Sequence, residues 1–208
     1  MQSLEIPMTF PLVEVFASLQ GEGRNTGRPC VFVRFAGCNL ACPWCDTSCV
    51  ATERLDFQAL LARIEAFPER SVIFTGGEPL LQPGLPALAA ELKARGYWLA
   101  LETNATCEPT PALRACLDYI ATSPKVGAPI ALTRANEVRL VVAPEVTQAW
   151  CEGVRRRLPA AEYYLSPCDE AGTLRVHEAI TLLGRLNAAA PSPPWRLSLQ
   201  THKLAAIR

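Results

Sequence analysis

The sequence predicts an α/β fold, built as a partial, open parallel (β/α) barrel with reduced helices. Three observations lead to this fold class. Apolar, β-branched runs alternate with stretches of helical spacing, which is typical of parallel βαβ units. About six or seven of the candidate strands alternate with helical stretches in this way, fewer than the eight of a complete barrel. Polar motifs follow most of these strands, and in parallel sheets such motifs converge on the carboxyl edge, where active sites form.

Eight segments are candidate strands, because each is rich in apolar and β-branched residues and ends at turn-forming residues. They are Val13 to Ala17, Val31 to Phe35, Ser71 to Phe74, Trp98 to Leu101, Tyr119 to Ala121, Val138 to Val142, Tyr163 to Leu165 and Arg196 to Leu199.

Two segments between these strands have clear helical periodicity, with apolar residues at i, i+3, i+4 and i+7. One begins at Phe57 behind Asp56 as its N-cap, and the other begins at Leu85 and ends before Gly96. Weaker helices are expected from about 146 to 157 and from about 173 to 187. The connection between Glu102 and Thr122 is short and contains proline, so at least one crossover helix there should be stunted.

Length and composition predict a single domain over residues 1–208, with half of the residues hydrophobic. The 20 basic and 20 acidic residues give no electrostatic argument for a nucleic-acid or membrane-surface partner. No basic leader and no run of roughly 18 apolar residues is present, so we expect a soluble, cytoplasmic protein. The P-S-P-P run at 191–194 is expected to be a rigid turn before the last strand.

Nine cysteines are many for such a protein, and an odd number without a secretory signal argues against a disulfide framework. Cys38, Cys42 and Cys45 are clustered with C-x3-C-x2-C spacing. The other six are scattered, and we interpret them as small buried hydrophobic residues without an assigned role. They are Cys30, Cys49, Cys107, Cys116, Cys151 and Cys168.

The cysteine cluster is open to two interpretations. Three thiolates could hold zinc if Cys49 or Cys30 supplied a fourth ligand, although structural zinc sites usually show two separated ligand pairs. A cubane iron–sulfur cluster normally takes four cysteines, so three cysteines would leave one iron open to a small molecule. The T-G-G-E-P motif at 75–79 follows the next strand, and without the cysteines it would indicate an ordinary strand-to-helix turn.

Together, the cysteine spacing and T-G-G-E-P resemble the radical S-adenosylmethionine (SAM) enzymes. The resemblance implies the radical SAM type of barrel and one 4Fe-4S cluster, held by Cys38, Cys42 and Cys45, whose open iron binds SAM. It also implies that the radical is generated at the cluster-bound SAM, so no side chain is identified as catalytic.

A more specific resemblance rests on five further motifs. They are Q-G-E-G at 20–23, C-D-T at 45–47, E-T-N at 102–104, S-P-K at 123–125 and a terminal H-K at 202–203. From about residue 13 to residue 208 the chain resembles the 7-carboxy-7-deazaguanine synthases. Members of that family convert 6-carboxy-5,6,7,8-tetrahydropterin to 7-carboxy-7-deazaguanine with loss of ammonia, a lyase reaction of queuosine and 7-deazapurine biosynthesis. The resemblance also implies Mg2+ and a flavodoxin- or ferredoxin-type electron donor.

The resemblance assigns roles to individual residues by matching motif. Thr47 matches the magnesium ligand of the family, although Asp46 and Thr47 could equally cap a turn. The implied SAM-binding residues are Trp44, Cys45, Asp46, Gly77, Glu78, Glu102, Asn104, Ser123, Pro124, Lys125, Ser166 and Asp169. The implied substrate-binding residues are Leu19, Gln20, Gly21, Glu22, Arg34, Thr75, His202 and Arg208, the last through its terminal carboxylate. Ala105 departs from the family, which generally has glycine after E-T-N.

Two other functions fit parts of the pattern. One is a radical SAM activating enzyme that generates a glycyl radical on a partner protein, against which Q-G-E-G and the terminal H-K argue. The other is a non-enzymatic zinc or iron–sulfur module. An open barrel leaves strand edges exposed, so we also expect a homodimer. His177 has no identifiable partner and is expected on a helix surface.

Overall fold

The structure is a computed structural model that describes residues 9–170 and 172–207. Nine strands form its main sheet: β1 (Thr9–Leu19), β2 (Pro29–Phe35), β3 (Glu53–Asp56), β4 (Ser71–Gly76), β5 (Trp98–Thr103), β6 (Tyr119–Thr122), β7 (Ala135–Val142), β8 (Ala160–Pro167) and β11 (Trp195–Leu197). Two short strands, β9 (Asp169–Glu170) and β10 (Thr173–Leu174), pair separately. All eight predicted strands are present.

The main sheet is mostly parallel and has two edges. Its order is β11-β8-β7-β6-β5-β4-β2-β1-β3, and every pair from β2 to β11 is parallel. At the other side β1 runs antiparallel to both β2 and β3. Because β11 and β3 end the sheet without pairing to each other, the barrel is partial and open, as predicted.

The helices of the described residues are α1 (Phe57–Glu65), α2 (Leu85–Ala94), α3 (Pro111–Cys116), α4 (Gln148–Arg157), α5 (Val176–Asn187) and α6 (Thr201–Leu204). Asp56 caps α1 as predicted, since its carboxylate accepts a 2.8 Å bond from Ala59 N–H. Gly96 follows α2 with φ +80°. The stunted crossover is also confirmed, because α3 has only six residues.

Strand β3 and the late start of α5 were not predicted. Strand β3 has the sequence E-R-L-D, in which Leu55 is the only apolar residue, so its composition does not indicate a strand. It forms because β1 extends past β2 and offers Thr9 to Leu12 as a pairing edge. The helix expected from about 173 begins at Val176, since Thr173 and Leu174 are taken up by β10.

Helices cover the outer face of the sheet, and the main core lies between them and the strands. The inner, concave face carries a second apolar cluster at its lower level, which we call the apolar floor. The apolar floor consists of Phe16, Cys30, Phe32, Ile73 and Ala100. Its residues face the interior in register across β2, β4 and β5.

Polar side chains occupy the next level of the concave face, nearer the carboxyl edge. Two residues further along each strand, Arg34 lies beside Thr75, and Glu102 lies beside Ala121, which is paired with Glu137. We call this level the polar layer; it also includes Arg139, two residues beyond Glu137. The period of two along each strand therefore places an apolar floor beneath a polar site. No helix within the described ranges is long and apolar enough to span a bilayer.

Candidate active site

The cysteine loop, residues 37–49, follows β2 at the carboxyl edge. Its two ends are tied together by a 2.9 Å bond from Gly37 N–H to the Cys49 carbonyl. Within it, Cys38 Sγ accepts bonds from Leu40 N–H at 3.4 Å and from the Asn104 side-chain amide at 3.9 Å. N–H donors directed at a cysteine sulfur are the contacts that tune iron–sulfur clusters.

The donor set of this loop suits an iron–sulfur cluster, because three cysteines supply soft ligands within eight positions. Cys45 and Cys49 both direct Sγ toward the Thr47 carbonyl, at 3.4 Å and 3.9 Å. Among residues 9–170 and 172–207, no three His, Cys, Asp or Glu side chains are assembled into a finished metal site.

The glycines of T-G-G-E-P let the loop after β4 pack directly against the cysteine loop. Gly76 has φ +115°, and a Cβ on Gly77 would lie 2.0 Å from the Gly37 carbonyl oxygen. Two backbone bonds fix this contact, from Gly77 N–H to Phe35 O at 3.0 Å and from Glu78 N–H to Gly37 O at 2.9 Å. Glycine is required at Gly77 by this close approach of two backbones.

Glu78 is completely buried, and its carboxylate binds the protein itself. It accepts bonds from Asn104 N–H at 2.8 Å, Leu80 N–H at 3.1 Å and the Thr103 hydroxyl at 2.9 and 3.0 Å. Burial raises the pKa of Glu78 above its usual value, while these bonds oppose the shift. The structure thus gives Glu78 the role of ordering the loop.

Asn104 connects the end of β5 to the cysteine loop through a 2.9 Å bond to the Asn39 side chain. The next residue, Ala105, is buried and has φ +69°, a left-handed conformation that favours glycine. The glycine that the family resemblance predicts at this position would adopt this conformation more readily than Ala105 does. Its carbonyl accepts bonds from Ala131 and Leu132.

The S-P-K motif lies beside the aromatic ring of the cysteine loop. Lys125 Nζ lies 4.8 Å from the centre of the Trp44 ring and donates a 2.7 Å bond to the Ser123 hydroxyl. Burial lowers the pKa of Lys125. The Trp44 indole N–H donates a 2.9 Å bond to the Glu145 carboxylate. Pro124, between Ser123 and Lys125 in the chain, is buried.

Lys203 on α6 joins two of the implied SAM-binding segments. Its ammonium group lies 2.8 Å from both Asp46 of the cysteine loop and Asp169 after β8. Ser166 at the end of β8 is buried, and its hydroxyl has no hydrogen-bond partner among the residues that the structure describes. A buried hydroxyl with unused hydrogen-bonding capacity, at the carboxyl end of β8, is suited to bind a polar cofactor.

Thr47 lies between Asp46 and the barrel interior. Its hydroxyl is 3.4 Å from the Asp46 carboxylate and 3.4 Å from the Arg34 guanidinium. Arg34 in turn binds Glu14 at 2.9 Å and lies over the Phe16 ring. Arg34 therefore connects the cysteine loop to the apolar floor.

The Q-G-E-G motif begins far from the carboxyl edge but bends back into the barrel. Leu19 is 41% exposed and pairs with Pro29 at the start of β2, because β1 is antiparallel. The Gln20 side-chain amide then donates a 3.1 Å bond to Glu102, which also accepts from Thr75 at 2.8 Å. The motif thereby joins the polar layer.

The two glycines of this motif make room for side chains from distant parts of the chain. A Cβ on Gly21 would lie 2.0 Å from His202 Nδ1, and one on Gly23 would lie 2.1 Å from the Glu137 carboxylate. The Gly21 carbonyl also accepts two 2.9 Å bonds from Thr201. These contacts bring together Q-G-E-G and the terminal H-K.

The sequence analysis missed Glu137, Arg139 and Ser198, and it quoted Lys203 in the terminal H-K motif without giving it a role. Arg139 forms ion pairs with three carboxylates of the polar layer, and the Ser198 hydroxyl accepts a 2.8 Å bond from Gly23 N–H. The detectable sequence pattern was E-V-R-L-V-V, in which two charged residues interrupt a buried parallel strand.

Three further predictions concern Arg208, the scattered cysteines and His177. Arg208 lies outside the described residues, so its terminal carboxylate stays a prediction. Of the six scattered cysteines, Cys30, Cys151 and Cys168 are buried, and burial raises the pKa of the Cys30 thiol to about 12. The expectation of burial was wrong for Cys49, Cys107 and Cys116, which are only partly buried. His177 is exposed near the start of α5, as expected.

Comparisons with known proteins agree with this geometry. Residues 32–139 match the model of the Radical SAM superfamily. A 7-carboxy-7-deazaguanine synthase of Haemophilus influenzae is 45% identical, covering 95% of this chain and 94% of that protein, and one of Neisseria meningitidis is 44% identical with the same coverage. A crystal structure of QueE from Escherichia coli has a TM-score of 0.70 at 29% identity, covering 92% of this chain and 94% of that chain.

The open barrel, the cysteine loop and the adjoining glycine pair define a radical SAM enzyme. The family match covers slightly more than half of the chain and includes all three clustered cysteines. With relatives of 34–45% identity along nearly its whole length, the chain belongs to the 7-carboxy-7-deazaguanine synthase family.

Proposed function

We propose that this chain is a lyase that converts 6-carboxy-5,6,7,8-tetrahydropterin to 7-carboxy-7-deazaguanine with loss of ammonia, in queuosine and 7-deazapurine biosynthesis. The observation that carries the proposal is the joining of three segments at one edge of the barrel. Thr201 binds Gly21, and Lys203, two residues later, binds Asp46. One short helix thus connects the proposed substrate loop to the proposed cofactor loop.

Cys38, Cys42 and Cys45 would hold the cluster, which together with SAM supplies hydrogen-atom abstraction when bound. The chain's own residues then orient the cofactor. Lys125 and Ser123 offer a cation and a hydroxyl for the SAM carboxylate, and the unsatisfied Ser166 hydroxyl is available to its polar groups. The remaining proposed contacts are Trp44, Asp46, Gly77, Glu102, Asn104, Pro124 and Asp169.

The pterin would lie above the apolar floor, against the polar layer. Its amide and amino edge requires both donors and acceptors, which the Gln20 side chain and the Glu22 carboxylate supply. Arg34 offers a guanidinium for the substrate carboxylate, since its planar fork matches that group. Thr75, Gly21, Leu19, His202 and Arg208 complete the proposed contacts.

Mg2+ is proposed to bind at Thr47. Thr47 would hold the cation through its hydroxyl, an oxygen donor 3.4 Å from the Asp46 carboxylate, and the cation would supply positive charge for the substrate carboxylate. Turnover of wild-type enzyme should rise with added Mg2+, and Thr47→Ala should raise the Mg2+ concentration needed for half-maximal rate. Equal Mg2+ requirements in the two proteins would contradict this site. Thr52→Ala, which alters a threonine that binds the β1 backbone, is the matched control.

We also propose a single domain, a cytoplasmic location, a homodimer and a flavodoxin- or ferredoxin-type electron donor. The exposed strand edges support the dimer. Sedimentation of the reconstituted protein tests it, and a monomer at micromolar concentration would exclude it.

The deciding experiment is anaerobic turnover of 6-carboxytetrahydropterin by the iron-reconstituted protein with SAM and a chemical reductant. We expect formation of 7-carboxy-7-deazaguanine and ammonia without net consumption of SAM. A colourless, zinc-loaded protein, or SAM cleavage without any deazaguanine product, would overturn the proposal.

A further inference from the structure

Arg139 and Glu137 have no role in the proposed function, yet they form a charge cluster with Glu22 and Glu102, which do. The guanidinium lies 2.8 Å from Glu102, 3.1 Å from Glu22 and 3.6 Å from Glu137, and its side chain is only 8% exposed. The carboxylates come from three separate segments: the Q-G-E-G loop, the end of β5, and β7. A single guanidinium fork therefore holds together groups that would otherwise repel one another.

Glu137 makes further contacts with the loop that contains Q-G-E-G. Its Oε2 accepts bonds from the Tyr119 hydroxyl at 2.8 Å and from Arg24 N–H at 2.9 Å, while Oε1 is buried and has no hydrogen-bond partner within the described part of the chain. Its carboxylate also fills the space where a side chain at Gly23 would stand. Glu137 and Arg139 thus contact three consecutive residues of the loop, 22 to 24.

The charges of this cluster are unequal, with three carboxylates against one guanidinium. Arg139 and the bonds from Thr75 and Gln20 lower the pKa of Glu102 despite its burial, whereas burial raises the pKa of Glu137. Glu22 is the member that the proposed function places at the substrate edge, and the Arg139 guanidinium is the partner of its carboxylate at 3.1 Å.

We propose that Arg139 is a positioning residue that fixes the Glu22 carboxylate for substrate recognition. The inference rests on the proposed function and deepens it. A tetrahydropterin presents adjacent N–H donors on its amino-pyrimidinone edge, and a carboxylate accepts two parallel bonds only when its plane is held in the correct orientation. Arg139 supplies that orientation through its ion pair and stays beneath the substrate.

The test compares Arg139→Gln, Arg139→Lys and the control Arg95→Gln as reconstituted holoenzymes. Arg95 is a matched control because it also pairs with two carboxylates, Glu65 and Glu91, but on the outer surface. We expect Arg139→Gln to raise the substrate KM about 10- to 100-fold, the range seen when a supporting partner of a binding group is lost. Arg139→Lys should fall between it and wild type. Iron content should match wild type in all three, and SAM cleavage in the absence of substrate should match wild type in Arg95→Gln, which lies on the outer surface.

A double variant separates positioning from general damage. If Arg139 acts through Glu22, adding Arg139→Gln to Glu22→Gln should raise KM less than about threefold, because coupled residues are not additive. Should Arg139→Gln fail to fold, Arg139→Gln combined with Glu137→Gln removes one charge of each sign and is measured in the same way. Unchanged KM, or effects that multiply in full, would refute the positioning role. Absence of wild-type turnover would instead refute the proposed function.

Discussion

The loops that follow β2 and β4 are neighbours at the same edge, yet they are held in opposite ways. The cysteine loop is largely exposed, and most of the side-chain contacts within it are 3.3 Å or longer. The loop after β4 centres on a fully buried Glu78 with four bonds of 2.8 to 3.1 Å. The segment that carries the proposed cluster ligands therefore takes its position from its neighbours, and the glycine–glutamate loop is the rigid support.

The largest expected effect comes from the ligands of the exposed loop. Changing Cys38, Cys42 or Cys45 to serine should reduce bound iron and SAM cleavage to background, because a cluster with only two cysteine ligands is not retained. Iron and sulfide content and the absorbance near 400 nm after anaerobic reconstitution measure this. Cys49→Ser, in the same loop, is the control and should keep its cluster. Equal loss of iron in Cys49→Ser would assign Cys49 to the ligand set.

A smaller but distinct effect is expected from the buried support. Glu78→Gln places an amide N–H2 against groups that already donate, so it should lower the free energy of unfolding by about 1.5–3 kcal/mol, the range for hydrogen bonds to charged groups. Urea denaturation of the purified protein measures the loss. Glu65→Gln, which alters an exposed pair with Arg95, should stay within about 0.5 kcal/mol of wild type. Similar stabilities for the two variants would contradict the supporting role of Glu78.

The smallest expected effect comes from Lys203, whose ammonium group connects Asp46 of the cysteine loop to Asp169 after β8. Lys203→Met leaves Asp46 and Asp169 without their shared cation and should raise the KM for SAM about two- to fivefold, as expected for a partly exposed ion pair. Iron content should not change. Lys93→Met is the matched control, since Lys93 pairs with Asp118 away from the site. A tenfold or greater loss of iron in Lys203→Met would show that α6 supports the cluster itself.

The sequence was most informative where burial is continuous. Parallel strands such as 71–74 and 98–101 are apolar runs with turn residues at both ends, so each strand and the polar motif behind it could be predicted. Strand β3 could not, because pairing with an extended neighbour forms it, and its own composition does not indicate it. The contacts of Glu78 were also hidden, since the spacing does not reveal whether a carboxylate faces a ligand or a buried backbone amide. The ion pairs of Arg139 were hidden because they join residues from three separate segments. The individual contacts proposed for SAM, Mg2+ and the pterin stay predictions.

The contacts of Gly21 and Gly23 have a consequence for the order of folding. Gly23 N–H donates to the Ser198 hydroxyl, and the Gly21 carbonyl accepts from the Thr201 hydroxyl. Two early residues therefore bond to partners that lie 175 and 180 positions later in the chain. During synthesis, domains begin to fold from the N-terminal side, and contacts that close such long loops form late. The sheet can therefore be built before the proposed substrate site exists, and the nascent enzyme should remain unable to bind the pterin until the segment around residue 200 has emerged.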